Sequence, residues 1–169
     1  MYETAYEKLV DAGYISIGMD HYSKPHDEFA IALKSKQLHR NFQGYCTRET
    51  TGQVYAFGAS SISQLDSAYI QNIKNASQYI NSIEKDNLAV LRGYSVNKDQ
   101  KIIREIINSI MCNYYVDIKT IAKKYNLQTS ELYNLIKFKK DNLDDFIEDE
   151  ILEFKEDIIS VKESGRLFT

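Results

Sequence analysis

Apolar positions recur at helical spacing near the start of the chain, where Tyr6, Leu9 and Val10 share one face of residues 2–11. Gly13 suits the position just past the end of that helix. The run Tyr14-Ile15-Ser16-Ile17-Gly18-Met19 reads as a short strand ending at Asp20-His21. Pro25, the sole proline, suits the first turn of a second helix that carries Phe29, Ala30 and Leu33 and runs out near Lys36. A polar loop over residues 37–52 leads to a second strand, Val54-Tyr55-Ala56-Phe57. A long helix is predicted next, with Ile70, Ile73, Ser77, Ile80 and Ile83 at three- to four-residue steps. Helix–strand–helix–strand–helix is the order of a βαβ unit, so parallel pairing with a right-handed crossover is expected. Parallel strands are normally buried on both faces of a larger sheet, so residues 1–90 read as part of a barrel or open sheet.

Around residues 87–94 the pattern changes. Asn97 is placed to cap a helix whose apolar face is Ile102, Ile103, Ile106, Ile107, Ile110 and Met111. A shorter helix after Asp117 uses Ile118, Ile121, Ala122 and Tyr125. A third, over residues 130–140, turns Leu132, Leu135 and Ile136 inward, and a helical turn continues over 143–149. Residues 151–154 and 158–161, separated by Lys155-Glu156-Asp157, read as a β-hairpin. Three helices and a hairpin form a winged-helix pattern over 91–169, with a last helix that starts after Ser164 and is clipped at Thr169. The fold class expected is α/β, α+β overall: strands and helices of a partial barrel, then a winged-helix-like domain.

Composition narrows the options. The 43% hydrophobic and 27% charged residues are those of a soluble globular protein. No run of 18 apolar residues occurs, which excludes a membrane-spanning helix. The start, Met1-Tyr2-Glu3-Thr4, is acidic and has no apolar signal core, so a cytoplasmic location is expected. A net charge of −3 creates no global field for nucleic acid or an anionic membrane. Residues 128–169 carry eleven acidic side chains against six basic ones, which argues against DNA binding there. Cys46 and Cys112 belong to no CxxC or CxxxCxxC spacing, so reduced thiols are expected and no metal ligand is assigned.

Candidate chemistry gathers after the expected strands, the edge where ligands bind in parallel α/β folds. Asp20 and His21 follow the first strand and either pair to cap it or face a ligand. The run Arg40-Asn41-Phe42-Gln43-Gly44-Tyr45 puts an anion binder, two amides, two rings and a glycine on one loop. A ring and an amide can hold an adenine, and an arginine can hold a carboxylate bidentately. Gly58-Ala59-Ser60-Ser61 either lets backbone approach a cofactor or forms a tight turn.

The strings AGYISIGMDHYSKPHDEFAIA, LHRNFQGY, GASSIS, AYIQN and REIINSIMCN resemble, in order and spacing, the oxygen-independent coproporphyrinogen III oxidases. That resemblance implies the C-terminal part of a radical S-adenosylmethionine barrel enzyme of haem and porphyrin synthesis. The family converts two propionates of coproporphyrinogen III to vinyl groups, giving protoporphyrinogen IX and carbon dioxide. Its [4Fe–4S] cluster, held by an N-terminal motif that this chain lacks, cleaves S-adenosylmethionine to the radical that abstracts hydrogen. The family binds two S-adenosylmethionine molecules, and Phe42, Gln43 and Ile62 match residues that contact the second. Arg40, Asp20 and His21 lie in matching strings; Arg40 is expected to meet a substrate propionate or to order its loop. Cys46 stands where threonine is usual and Tyr22 where phenylalanine is common.

No catalytic residue is assigned, and the chain alone is expected to be inactive. The implied partners are coproporphyrinogen III, an electron donor and the N-terminal part of the same enzyme, with no nucleic acid or membrane. Two alternatives stand beside this reading. One is the related radical S-adenosylmethionine haem chaperone. The other is a winged-helix nucleic-acid-binding module, whose basic Lys137, Lys139 and Lys140 run straight into Asp141, Asp144 and Asp145.

Overall fold

Short connections decide the topology of the first half of the chain. The computed structural model describes residues 2–42, 44–47 and 53–168. Helix α1 (Tyr2–Asp11) ends before Gly13, which takes φ +79°. Strand β1 (Ile15–Gly18) reverses at Met19 and Asp20 into β2 (His21–Ser23), and the two pair antiparallel. Helix α2 (Glu28–Lys34) is capped by Asp27, whose carboxylate accepts from Phe29 N at 2.9 Å. Pro25 therefore lies in the turn ahead of the helix instead of inside it.

The expected polar loop contains a second hairpin, β3 (Leu38–Asn41) and β4 (Gly44–Thr47), with Phe42 at its turn. The expected strand at residues 54–57 is reduced to one bridge between Val54 and Gln64. Side chains replace a ladder there: Ala56 N donates to Ser63 Oγ at 3.0 Å and Gly58 N to Tyr79 Oη at 3.1 Å. Strands β5 (Ile62–Gln64), β6 (Ala68–Asn72) and β7 (Val90–Ser95) form one sheet in that order. The long helix shrinks to α3 (Ala76–Glu84), because the Asn75 carboxamide caps it by accepting from Gln78 N at 3.0 Å. Ile70, expected on that helix, sits in β6 opposite Gly93.

Every strand pair among the described residues is antiparallel, which corrects the parallel pairing expected from the element order. For β1–β2 and β5–β6 the physical reason is connection length: a turn of two or three residues returns a strand beside its predecessor, whereas a parallel pair needs a crossover of a dozen residues. The longer segment between β6 and β7, which holds α3, also returns antiparallel.

The second half follows its sequence pattern closely. Helix α4 (Lys98–Asn113) opens with a capping box between Asn97 and Gln100. Then come β8 (Tyr115–Asp117), α5 (Ile118–Lys124), α6 (Thr129–Leu135), a 3-10 turn (Lys140–Leu143) and α7 (Asp144–Glu148). Strands β9 (Leu152–Lys155) and β10 (Ile158–Val161) join β8 in the order β8-β10-β9, followed by a 3-10 segment (Glu163–Phe168). Ile102, Ile106, Val116, Ile118, Ile121 and Leu132 form the core of this half, while Ile107 points outward.

A second core joins the halves: Ile17, Ala30, Ala32, Leu38 and Tyr45 pack around Cys112 near the end of α4. Ile17 and Leu38 are fully buried, each contributing roughly 1.5–3 kcal/mol of apolar burial. Next to Cys112, the buried Asn113 accepts from Leu38 N and donates to Leu38 O, both at 3.0 Å. Tyr114, in the left-handed region at φ +54°, donates its hydroxyl to Ile17 O at 3.2 Å.

Two outcomes follow. Asn113→Ala leaves a buried peptide N–H and C=O without their partner and should lower unfolding free energy in urea by roughly 1–3 kcal/mol. The acid limb of stability is set in part by Asp157 and Asp117. Hydrogen bonds from Tyr133 and Lys119 hold Asp157 below the usual carboxylate range. Burial pushes Asp117 up, but the Thr120 amide and hydroxyl outweigh it and the net direction is down. Lowered folded values give stability that is complete above the ordinary carboxylate pKa and lost as pH falls through the folded one. Asp157→Asn should therefore flatten the fall in melting temperature on acidification.

Candidate functional site

The β3–β4 hairpin carries the rim of two adjoining grooves. Its register sets Arg40 opposite Tyr45 and Asn41 opposite Gly44, which takes φ +134° as the turn closes. The Phe42 ring stands out of this turn, 59% exposed, and meets Tyr69 of β6 edge-on at 5.4 Å.

The first groove, of 420 Å³, is lined by Phe42, Ile62, Tyr69, Ile70, Arg92 and Tyr94. Arg92 is held by its Nε–H, which donates to Gln71 Oε1 at 2.9 Å. The walls are aromatic and aliphatic, with one amide and one guanidinium at the edge. The second groove, of 530 Å³, is lined by His21, Arg40, Phe42, Gln64, Tyr69 and Arg104, with Asn108 and Met111 of α4 behind them. Phe42 and Tyr69 belong to both grooves and form the ridge between them.

Phe42 and Ile62, read together from sequence, share the first groove, and Arg40 and His21 share the second. Gln43 lies outside the described residues. Asp20 lines neither groove; its highly exposed carboxylate pairs with His21 Nδ1 at 2.9 Å. His21 in turn packs edge-on against Tyr45 at 5.0 Å. Arg40 lies 5.6 Å over the Tyr45 ring and donates from Nη1 to Met19 Sδ at 3.0 Å. Burial and the neighbouring Cys112 raise the Tyr45 phenol, with Arg40 only partly opposing them, so the ring stays neutral.

The run Gly58-Ala59-Ser60-Ser61 resolves as a tight turn that lines neither groove. Ser60 takes φ +64°, and Ser61 Oγ and Asn72 Nδ2 donate to Gly58 O at 2.7 and 3.1 Å. Neither cysteine suits an iron–sulfur cluster. Cys112 is fully buried in the core, and burial pushes the Cys46 thiol up, away from the thiolate a metal requires. Among the described residues no three His, Cys, Asp or Glu side chains gather to hold a metal.

Tyr69, Gln64, Arg104 and Asn108 carry no role in the sequence reading, although Tyr69, Arg104 and Asn108 occur in the strings AYIQN and REIINSIMCN. Arg104 braces the β5–β6 turn by donating to Asp66 O at 2.9 Å and to Tyr69 Oη at 3.2 Å. A polar residue interrupting the apolar face of α4 was the available signal.

Residues 96–168 match the family model of the HemN C-terminal domain. The chain is 39% identical over 119 residues to the oxygen-independent coproporphyrinogen III oxidase of Synechocystis sp. strain PCC 6803, covering 70% of this chain and 25% of that protein. It is 38% identical over 125 residues to the Escherichia coli K12 enzyme of the same name, covering 74% and 27%. A solved structure, coproporphyrinogen III oxidase (HemN) from Escherichia coli, a radical SAM enzyme, superposes with a TM-score of 0.89 at 32% identity. That match covers 99% of this chain and 38% of the other. The chain thus spans about a quarter of the length of these curated relatives. The mixed helix-and-strand fold is that of the C-terminal region of a radical SAM enzyme. No helix among the described residues is long and apolar enough to cross a membrane.

Gly18 offers a direct test of the packing behind the rim. At φ +152° a Cβ there would fall on Tyr45 Oη and 2.9 Å from Tyr114 Oη. Gly18→Ala should destabilise by roughly 1–3 kcal/mol through this overpacking and backbone strain. Adding Tyr45→Phe, which deletes the offending oxygen, should recover part of that loss in a denaturation series.

Proposed function

Because the chain is related to the C-terminal part of the oxygen-independent coproporphyrinogen III oxidases, with residues 96–168 a HemN C-terminal domain, we propose that it serves the same reaction. In this reading it contributes to the oxidative decarboxylation of coproporphyrinogen III to protoporphyrinogen IX. The observation that supports it is the shared groove of Phe42 and Ile62, braced by Tyr69.

A half-open groove with one ring and an aliphatic wall fits one side of an adenosyl group. Phe42 would stack on the adenine, Ile62 would exclude water from its edge, and Gln43 would supply the amide that reads it. When bound with a reduced iron–sulfur cluster, S-adenosylmethionine supplies the radical that the chemistry needs. This chain's two cysteines do not fit such a cluster, so its own residues bind, orient and shield. The molecule meant is the second of two S-adenosylmethionines. Arg40 is assigned to a carboxylate of substrate or cofactor; Asp20 and His21 are assigned to holding the β1–β2 turn behind it.

The partition into residues 1–90, barrel-derived, and 91–169, winged-helix-like, belongs to the same proposal, with α4 shared between the two cores. Strand β7 is exposed along its length at the edge of its sheet. Leu88 and Phe57 are almost wholly exposed. We assign this apolar edge to contact with the cluster-bearing part of the enzyme. An electron donor would act there and not on this chain, and the setting would be cytoplasmic.

Exchange tests this. Replacing the corresponding C-terminal part of the Escherichia coli relative by this chain should give an enzyme that forms protoporphyrinogen IX anaerobically. Phe42→Ala with Ile62→Ala in that chimera should reduce turnover about tenfold or more, the size of one lost base-stacking contact. The 169-residue chain alone should form neither 5′-deoxyadenosine nor product. A chimera that is soluble and iron-loaded yet inactive would overturn the assignment.

A further inference from the structure

The second groove has features that the adenosyl reading does not use. No acidic side chain lines it, while two guanidinium groups, Arg40 and Arg104, do. These two arginines are in different states. Arg104 has its donors committed to Leu65 O, Asp66 O and Tyr69 Oη. Arg40 donates to the thioether of Met19, a weak acceptor, and makes no ion pair among the described residues. Most of its five N–H donors therefore remain available.

Gln64 is the second observation. It is only 6% exposed, and its backbone is fixed by paired hydrogen bonds with Val54 at 2.8 and 2.9 Å. Its carboxamide makes no hydrogen bond among the described residues, yet the side chain lines this groove. An amide that opens on the groove without a protein partner is free to pair with a ligand's acceptor. Asn108, half-buried on α4, likewise makes no side-chain hydrogen bond among the described residues and lines the same groove.

We propose that this groove is a carboxylate-binding subsite in which Arg40 provides the charge and Gln64 and Asn108 the amide donors. A guanidinium with two flanking amides matches the flat, four-lone-pair acceptor of a carboxylate. Neutral amides are the partners that desolvate it without competing for the charge. Arg104 adds positive potential from behind while bracing the wall. The ligand chemistry has two sources. One is a propionate of the tetrapyrrole; the other is the aminoacyl carboxylate of S-adenosylmethionine, reaching across the Phe42–Tyr69 ridge. The proposal rests on the reading of Phe42 as part of a cofactor and substrate site.

Titration of the ¹⁵N-labelled chain separates the sources. The probes are coproporphyrin III, S-adenosylmethionine, and 5′-methylthioadenosine, which keeps the adenosyl thioether and lacks the carboxylate. A carboxylate probe should shift the Gln64 and Asn108 side-chain amides and the Arg40 Nε–H, whereas methylthioadenosine should leave them in place. Arg40→Gln and Gln64→Glu should each weaken that probe about tenfold or more, or about 1.4 kcal/mol, with folding checked by circular dichroism. Sensitivity of coproporphyrin assigns the subsite to a propionate, and sensitivity of S-adenosylmethionine assigns it to the aminoacyl end. If neither probe moves these three groups, or if Arg40→Gln leaves both affinities unchanged, the subsite does not exist. Methylthioadenosine binding and its loss in Phe42→Ala report on the adenosyl wall alone, so that reading stands or falls separately.

Discussion

The relation of the hairpins to α4 depends on two hydrogen bonds from one side chain. Asn113 presents its carboxamide to the free edge of β3 and satisfies both the N–H and the C=O of Leu38, as a neighbouring strand would. Leu38 is fully buried, so neither group has water as a substitute. One residue on, Tyr114 adopts a left-handed conformation that a non-glycine residue takes only at a cost, about 1–2 kcal/mol. Burial of its ring and the bond from its hydroxyl to Ile17 O offset that cost. The end of α4 thereby fixes β1 and β3 at once.

That joint also sets the second groove. Arg104, Asn108 and Met111 lie on α4 at three- to four-residue steps and so share one face of it, while Arg40 and Phe42 come from the hairpin that Asn113 grips. Any rotation of β3–β4 about its edge would carry Phe42 away from Tyr69 and open both grooves together. Glycine at position 18 serves the same packing, since the Tyr45 and Tyr114 hydroxyls occupy the space a side chain would need. The site is therefore built on short strands and the Phe42 turn, but its geometry is inherited from a helix.

What was legible in the sequence follows from where local signals are strong. Asn97 announces the start of α4, Asp117 announces α5, and apolar spacing gives their inward faces; these match what is observed except for Ile107, which faces outward. The first half was misread because its turns lack the usual markers. Met19-Asp20 reverses the chain without glycine, so β1 and β2 looked like one strand and its loop. Ile70, Ile73, Ser77 and Ile80 fall at helical steps by coincidence, since Ile70 pairs across a sheet and Asn75 begins the helix. Phe42 and Ile62 were found through family strings, and they do share a groove. Gln64 could not be found so, because lining a groove without a protein partner is a property of the assembled structure.

The contrast between Arg40 and Arg104 carries this point into chemistry. Both side chains are guanidinium groups on the same groove, and both sit near an aromatic ring, Tyr45 and Tyr69 respectively. Composition and spacing treat them alike. What separates them is where their donors go: Arg104 donates to backbone carbonyls at fixed positions. Arg40 faces a sulfur atom that accepts weakly and can be exchanged at little cost. A cation whose protein acceptors are poor, beside an amide that has none among the described residues, is the arrangement from which the carboxylate subsite is proposed. In the proposed subsite the same charge on the same wall would be structural in one case and recognition in the other, and the acceptors around it are what separate the two.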